Sequence, residues 1–227
     1  PRSTLFPYTT LFRSGSFSLD EVKPLVEKYL ANLPSINRKE SYRDIKIKTP
    51  TGVIKKNVYK GIEQKSYVTI SFNGDFNWTR EESYLISSMA SALRIKIREL
   101  IREDKGGTYG VQFSASGRQA PYNSYEVKVA FGCDPSRVDE LLENLFAELK
   151  SLLSKPIDNS YVEKVKEIQR RDREVQIKQN DFWARTLQSY YYYNRNLSEL
   201  NTMDELINNL SSEAILATDK KYIDFDN

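Results

Sequence analysis

Segments in which apolar and polar residues alternate all lie before residue 134 of this chain, and everything after that point reads as helix. Val68, Ile70 and Phe72 alternate with Tyr67, Thr69, Ser71 and Asn73, which predicts a half-buried strand over Ser66 to Asn73. Thr108 to Ser116 sets Tyr109, Val111, Phe113 and Ala115 against Thr108, Gly110, Gln112 and Ser114, and Ser124 to Cys133 alternates through Tyr125, Val127, Val129 and Phe131. Between the first strand and the second, Thr79 to Arg102 opens on a capping box of Thr79 and Glu82. It carries one apolar stripe, Leu85, Met89, Leu93 and Ile97, with Ile86, Ala90 and Ile101 beside it. Asp134 then caps and Pro135 opens a helix whose face is Val138, Leu141, Leu142, Leu145, Leu149 and Leu152. Strands early, helices late and short connections between neighbouring strands favour an α+β fold: a mainly antiparallel sheet covered on one face by helices.

The flanks are less regular. Ser18 to Asn32 predicts a short amphipathic helix capped by Ser18 and Glu21, with Val22, Leu25, Tyr29 and Leu30 at helical spacing and Leu33-Pro34 stopping it. Residues 35 to 43 read as a polar linker, so a boundary falls near Pro34; Asp44 to Lys48 and Val53 to Tyr59 read as edge strands around Thr49-Pro50-Thr51-Gly52. Ser160 with Glu163, and Thr202 with Glu205, announce further capped helices. Pro1 to Ser14 has neither periodicity nor the apolar core of a signal peptide and resembles translated adapter sequence, so it is expected to be a non-native leader. The chain stops soon after its last helical segment, where a further strand would fit, and the ends say nothing about localisation.

Composition excludes more than it specifies. There is no histidine among 227 residues, so the chain supplies no imidazole base, no Ser-His or Cys-His pair and no His-ligated metal site. The single Cys133 rules out an intrachain disulfide and reads as a small buried side chain. A net charge of +3 from 34 basic and 31 acidic residues is too balanced for a nucleic-acid binder, and no apolar run approaches the ~20 residues of a membrane span. The charged run Lys164 to Glu174 interleaves both signs and reads as a solvated helix face. Tyr190 to Tyr193 reads as packing at a helix interface, and Gly106, Gly107 and Gly110 as a turn, since no Lys-Ser/Thr follows them.

Leu100 to Val111 joins the long helix to a strand and carries Arg102 and Tyr109 seven residues apart. Taken by themselves both read as structural: an arginine favoured by the helix dipole, and a tyrosine sharing a strand face with Val111 and Phe113. The segment nevertheless resembles the C-terminal half of the pitrilysin/insulinase-type metallopeptidases, zinc enzymes with an inverted His-x-x-Glu-His motif. The likeness extends through Phe131-Gly132-Cys133-Asp134-Pro135 with Arg137 and Val138, the helix around Val165 to Arg171, and Phe182-Trp183.

The resemblance implies that Arg102 and Tyr109 contact substrate in a closed chamber, Tyr109 as an oxyanion donor and Arg102 as a forked donor to a substrate carbonyl. It implies that Gly15 to Pro34 is the tail of a preceding homologous domain and that residues 35 to 227 are most of the C-terminal one, short of a last strand. No cofactor is expected on this chain; zinc would be held by an N-terminal half in the same polypeptide or in another subunit. A peptide is the implied substrate, with a bacterial cell envelope or periplasm compatible as location. Three alternatives stand beside this reading: a catalytically silent relative, a peptide-binding or structural domain and, at a distance, a nucleic-acid-binding module.

Overall fold

The structure is a computed structural model of the chain. It describes residues 14–34, 43–103 and 108–225, the side chains of 100–103, 108 and 109 excepted. The expected leader over Pro1 to Ser14 falls outside the described residues except for Ser14, as does the linker over 35 to 43 except for Arg43, and so does the Gly106-Gly107 pair. By compactness the described residues form two units. One takes residues up to Lys46 together with Arg171–Asn201; the other takes Ile47–Arg170 with Thr202 onward.

The larger unit holds the sheet. Strands β1 (Ser66–Asp75), β2 (Thr108–Arg118) and β3 (Ser124–Cys133) pair antiparallel in the order β1-β3-β2. The register sets Phe72 opposite Val127 and Phe113 opposite Val129, so apolar positions of all three strands share one face. On the other face Thr69, Ser71, Gln112, Ser114 and Lys128 are exposed. Helix α2 (Arg80–Glu103) lays Ile86, Met89, Leu93 and Ile97 on the apolar face, all fully buried. Helix α3 (Val138–Ser154) adds Leu141, Leu145, Leu149 and Leu152, and α4 (Asn159–Gln176) adds Val162 and Val165. Helices α6 (Met203–Asn209) and α7 (Ser212–Tyr222) complete the core with Ile207, Ile215 and Tyr222. The fold is α+β as the sequence predicts, because the period-two and helical segments present their apolar faces to one another.

Caps explain where the helices begin. Thr79 Oγ1 accepts the Glu82 amide at 3.0 Å, as predicted, but the Glu82 carboxylate leaves the capping box for α7. It accepts from Tyr222 Oη at 2.5 Å and Lys221 Nζ at 2.8 Å. Asp134 Oδ1 accepts from Ser136 N at 2.8 Å, capping a 3-10 turn (Pro135–Arg137) that leads into α3. At the fourth helix the cap is Asp158 rather than Ser160: its carboxylate takes the Ser160 amide at 2.8 Å, a stronger acceptor placed two residues earlier. Thr202 makes no cap bond for α6 and accepts Arg80 Nη1 at 2.7 Å instead.

The stretch predicted to hold edge strands at Asp44 to Lys48 and Val53 to Tyr59 carries no strand. β1 finds its ladder in β3 alone among the described residues, so these segments have alternating character without a partner.

The smaller unit contains α1 (Leu19–Val26), which runs into a π-helical turn (Glu27–Ala31), and α5 (Asn180–Tyr192). Ser18 occupies the N-cap position of α1 without a side-chain cap bond, and none of the residues of α1 is buried. In α5 only Tyr190 is buried, whereas Tyr191 and Tyr192 are exposed. Consecutive residues advance about 100° around a helix, so four tyrosines in a row cannot share one interface, and the packing expected of the whole run belongs to Tyr190. Asn194, at φ +51°, ends the helix in a left-handed cap, with Arg195 N donating to Tyr190 O at 2.8 Å.

Candidate functional site

Arg102 lies in the last turn of α2 and Tyr109 is the second residue of β2, so both predicted site residues belong to one helix-to-strand junction. Their side chains lie outside the described residues; what the structure gives is the scaffold that holds their backbones.

That scaffold is pinned along its length. At its start, α2 is tied to α7 through Glu82; burial works against the Glu82 charge, but the hydrogen bonds from Lys221 and Tyr222 outweigh it and hold the carboxyl below its usual range. One turn on, Tyr84 Oη donates to Gln169 Oε1 at 2.8 Å, and Gln169 Nε2 donates to Ser88 Oγ at 2.9 Å, satisfying a buried hydroxyl through α4. Near the far end, Glu99 accepts from the Tyr161 hydroxyl in a short hydrogen bond and from Lys164 Nζ at 3.3 Å. The Tyr161 bond, ahead of the Lys164 contact, lowers the Glu99 pKa. Arg102 therefore lies in the last turn of a helix that α7 and α4 hold in place.

The strand side is irregular where it matters. Thr108 is opposite Cys133 but Val111 is opposite Phe131, so three steps on β2 match two on β3 and one residue of β2 is extra. Gly110, at φ +136°, lies inside this bulge and within β2, not in a turn as the sequence suggested. The bulge also breaks the parity of the strand. Alternation carries from Val111 onward, with Phe113 buried and Gln112 and Ser114 exposed, but it does not carry back across the extra residue to Tyr109. Alternation therefore no longer assigns Tyr109 to the face of Val111. Sequence reasoning missed this, although a glycine interrupting an alternating run is a known sign of a bulge.

Cys133, opposite Thr108, is fully buried, and burial pushes its thiol pKa up. It is a packing residue by environment as well as by isolation.

Residues 7–169 match the family described as the peptidase M16 inactive domain. The chain belongs to the peptidase M16 family. Its M16 match spans the α2–β2 junction, both Arg102 and Tyr109 included. A curated relative, the probable zinc protease PqqL of Haemophilus influenzae, is 32% identical over 156 residues, covering 68% of this chain and 16% of the relative. Among solved structures, the periplasmic protease PqqL from Escherichia coli superposes at a TM-score of 0.75 with 20% identity, over 92% of this chain and 23% of that one. A protease from Helicobacter pylori superposes at 0.74 with 15% identity, over 93% of this chain and 51% of that one. The chain thus spans about a sixth of the curated relative.

The zinc in the name of the H. influenzae relative does not fit the residues present. The sequence has no histidine, and no group of three or more His, Cys, Asp or Glu among the described residues is placed to hold a metal ion. No described helix is long and apolar enough to cross a membrane.

Proposed function

We propose that this M16 domain is the substrate-binding half of a zinc metalloendopeptidase, closing a chamber over a peptide while the zinc site comes from another domain or subunit. The observation that carries the reading is the Arg102–Tyr109 junction: two residues of the right chemistry, seven apart, flanking a pinned helix end and a strand bulge, inside the region matched to the family. A phenol O–H is a donor for a developing oxyanion, and a guanidinium fork holds a neighbouring peptide carbonyl. In this reading Gly15 to Pro34 closes a preceding homologous domain, and residues 35 to 227 are most of a C-terminal one, short of a last strand. The E. coli relative is a periplasmic protease, which supports the cell envelope as location.

The test is kinetic, in the reconstituted full-length protein. Tyr109→Phe keeps the ring and removes one donor, so kcat should fall roughly 10²-fold while the melting temperature holds. Arg102→Ala should raise KM and lower kcat/KM, with Lys at that position a poor substitute because it lacks the planar fork. Unchanged kcat in Tyr109→Phe would remove that residue from the site and leave a peptide-binding or catalytically silent domain as the function.

A further inference from the structure

Tyr161 and Lys164, three residues apart and so on one face of α4, both reach Glu99 of α2. The Tyr161 hydroxyl donates to Oε2, and Lys164 Nζ donates to Oε1 at 3.3 Å. Both carboxylate oxygens are therefore engaged. Two cations approach the Tyr161 ring, Lys164 Nζ at 4.9 Å and Lys96 Nζ at 5.7 Å from its centroid, and Lys96 in turn lies 3.7 Å from Glu148 of α3. This cluster is more than the placement of α2 requires. Ile86, Met89, Leu93 and Ile97 are fully buried along that helix and Glu82 already ties it to α7, whereas the side chains of Glu99 and Lys164 are about half exposed. An exposed ion pair adds little to stability.

What the cluster does fix is the direction of one negative charge. Glu99 precedes Arg102 by three residues within α2, a spacing at which helical side chains meet, with Cβ atoms about 5–6 Å apart. Three and four residues to either side of Arg102 the sequence offers Arg98, Glu99, Lys105 and Gly106, so Glu99 is the one carboxylate at contact spacing. Acid before base is also the favourable order for a helical ion pair. We propose, on the reading of Arg102 as a substrate contact, that Tyr161 and Lys164 are positioning residues: by holding Glu99 on α4 they keep it from pairing with Arg102, whose guanidinium stays available to a peptide carbonyl. A released Glu99 would be fully charged at neutral pH, and a carboxylate is a stronger acceptor than a neutral carbonyl. A plain clamp on the helix end makes the opposite demand on Glu99. If the bonds served only to hold α2, losing Glu99 would do the same harm as losing Tyr161; if they hold Glu99 away, losing Glu99 is harmless and cancels the loss of Tyr161.

The experiment has two arms. In the 227-residue chain the Glu99 carboxyl carbon is followed by NMR through a pH titration, with and without Arg102→Ala. In Tyr161→Phe/Lys164→Met, removing Arg102 should raise the Glu99 midpoint by about 0.3 of a unit, the equivalent of an exposed helical pair, and in the wild-type background by clearly less. Equal shifts in the two backgrounds, or none in either, would overturn the inference. In the reconstituted full-length protein, Tyr161→Phe/Lys164→Met should raise KM about two- to threefold at unchanged kcat. Adding Glu99→Ala should return KM to the wild-type value, and in an Arg102→Ala background the pair of substitutions should add nothing. Tyr161→Phe alone, which keeps the ring, should move both readouts in the same direction. A raised KM that Glu99→Ala does not lower would show a clamp on the helix and overturn the inference. Wild-type KM in Tyr161→Phe/Lys164→Met beside a raised KM in Arg102→Ala would sink it too, while sustaining the peptidase reading. A parent protein that cleaves no peptide, with the titrations as expected, would sustain the hold on Glu99 and sink that reading instead.

Discussion

Asp219 is buried to 1% exposure in α7, and its Oδ1 finds no hydrogen-bond donor among the described residues. Burial pushes its pKa up to about 8 from the 3.8 of a free aspartate. A carboxyl whose folded pKa is raised favours the fold fully below the unfolded value, and that contribution is lost as pH climbs through the folded value. Wild-type stability should therefore decline between about pH 4 and pH 8 and level off above, by an amount on the order of 6 kcal/mol. Asp219→Asn matches the shape of the neutral acid and cannot ionise, so its denaturation midpoint should stay flat over that range. Parallel slopes for the two proteins would show that water reaches the carboxylate. Nothing in the sequence announces this residue, because an aspartate near a helix end between Thr218 and Lys220 reads as surface. The same blindness explains the caps: spacing locates a helix start to within a residue or two, and whether Asp158 or Ser160 provides the bond is a matter of geometry that spacing does not contain.

At the scale of elements, β2 and its neighbours show what alternation can and cannot predict. The three strands are legible because each pairs a polar face with an apolar one, and β3 begins and ends where its pattern does. The bulge at Gly110 leaves one trace in the sequence, the glycine that interrupts the alternation, whereas the register shift between Thr108 and Val111 is set by the pairing with β3. Residues 47–62 fail for the opposite reason: strand character is present, but a strand also needs a neighbour. Gly117 gives this level its own test. A Cβ at that position would stand 2.1 Å from a ring carbon of Phe76, which is itself 2% exposed and lies against Tyr222 with ring centroids 5.5 Å apart. The ring has no empty space to move into, so Gly117→Ala should cost about 1–3 kcal/mol, read as a lower denaturation midpoint with an unchanged slope. A neutral Gly117→Ala would mean that the β2 edge moves away from the Phe76 ring freely.

For the molecule as a whole, the missing histidine counts for more than any motif it contains. The α+β layer follows from the order of periodicities, and membership of the M16 family follows from the match over residues 7–169, but a zinc site of the usual kind needs ligands that this sequence does not have. A structural or catalytic zinc takes three or four ligands, mostly imidazole and thiolate, and here there is one thiol, fully buried, with no imidazole. Carboxylates alone would bind zinc weakly and in competition with water, and among the described residues they form no cluster suited to it. The purified chain, equilibrated with zinc and then dialysed, should retain well under one ion per chain by elemental analysis, and it should cleave no peptide with or without added metal. Adding zinc should leave the melting temperature unchanged, because a ligand that does not bind the folded state selectively cannot stabilise it. One tightly held zinc per chain, or a melting temperature that rises with zinc concentration, would show a complete site within these 227 residues and would end the view of the chain as one wall of an active site completed elsewhere.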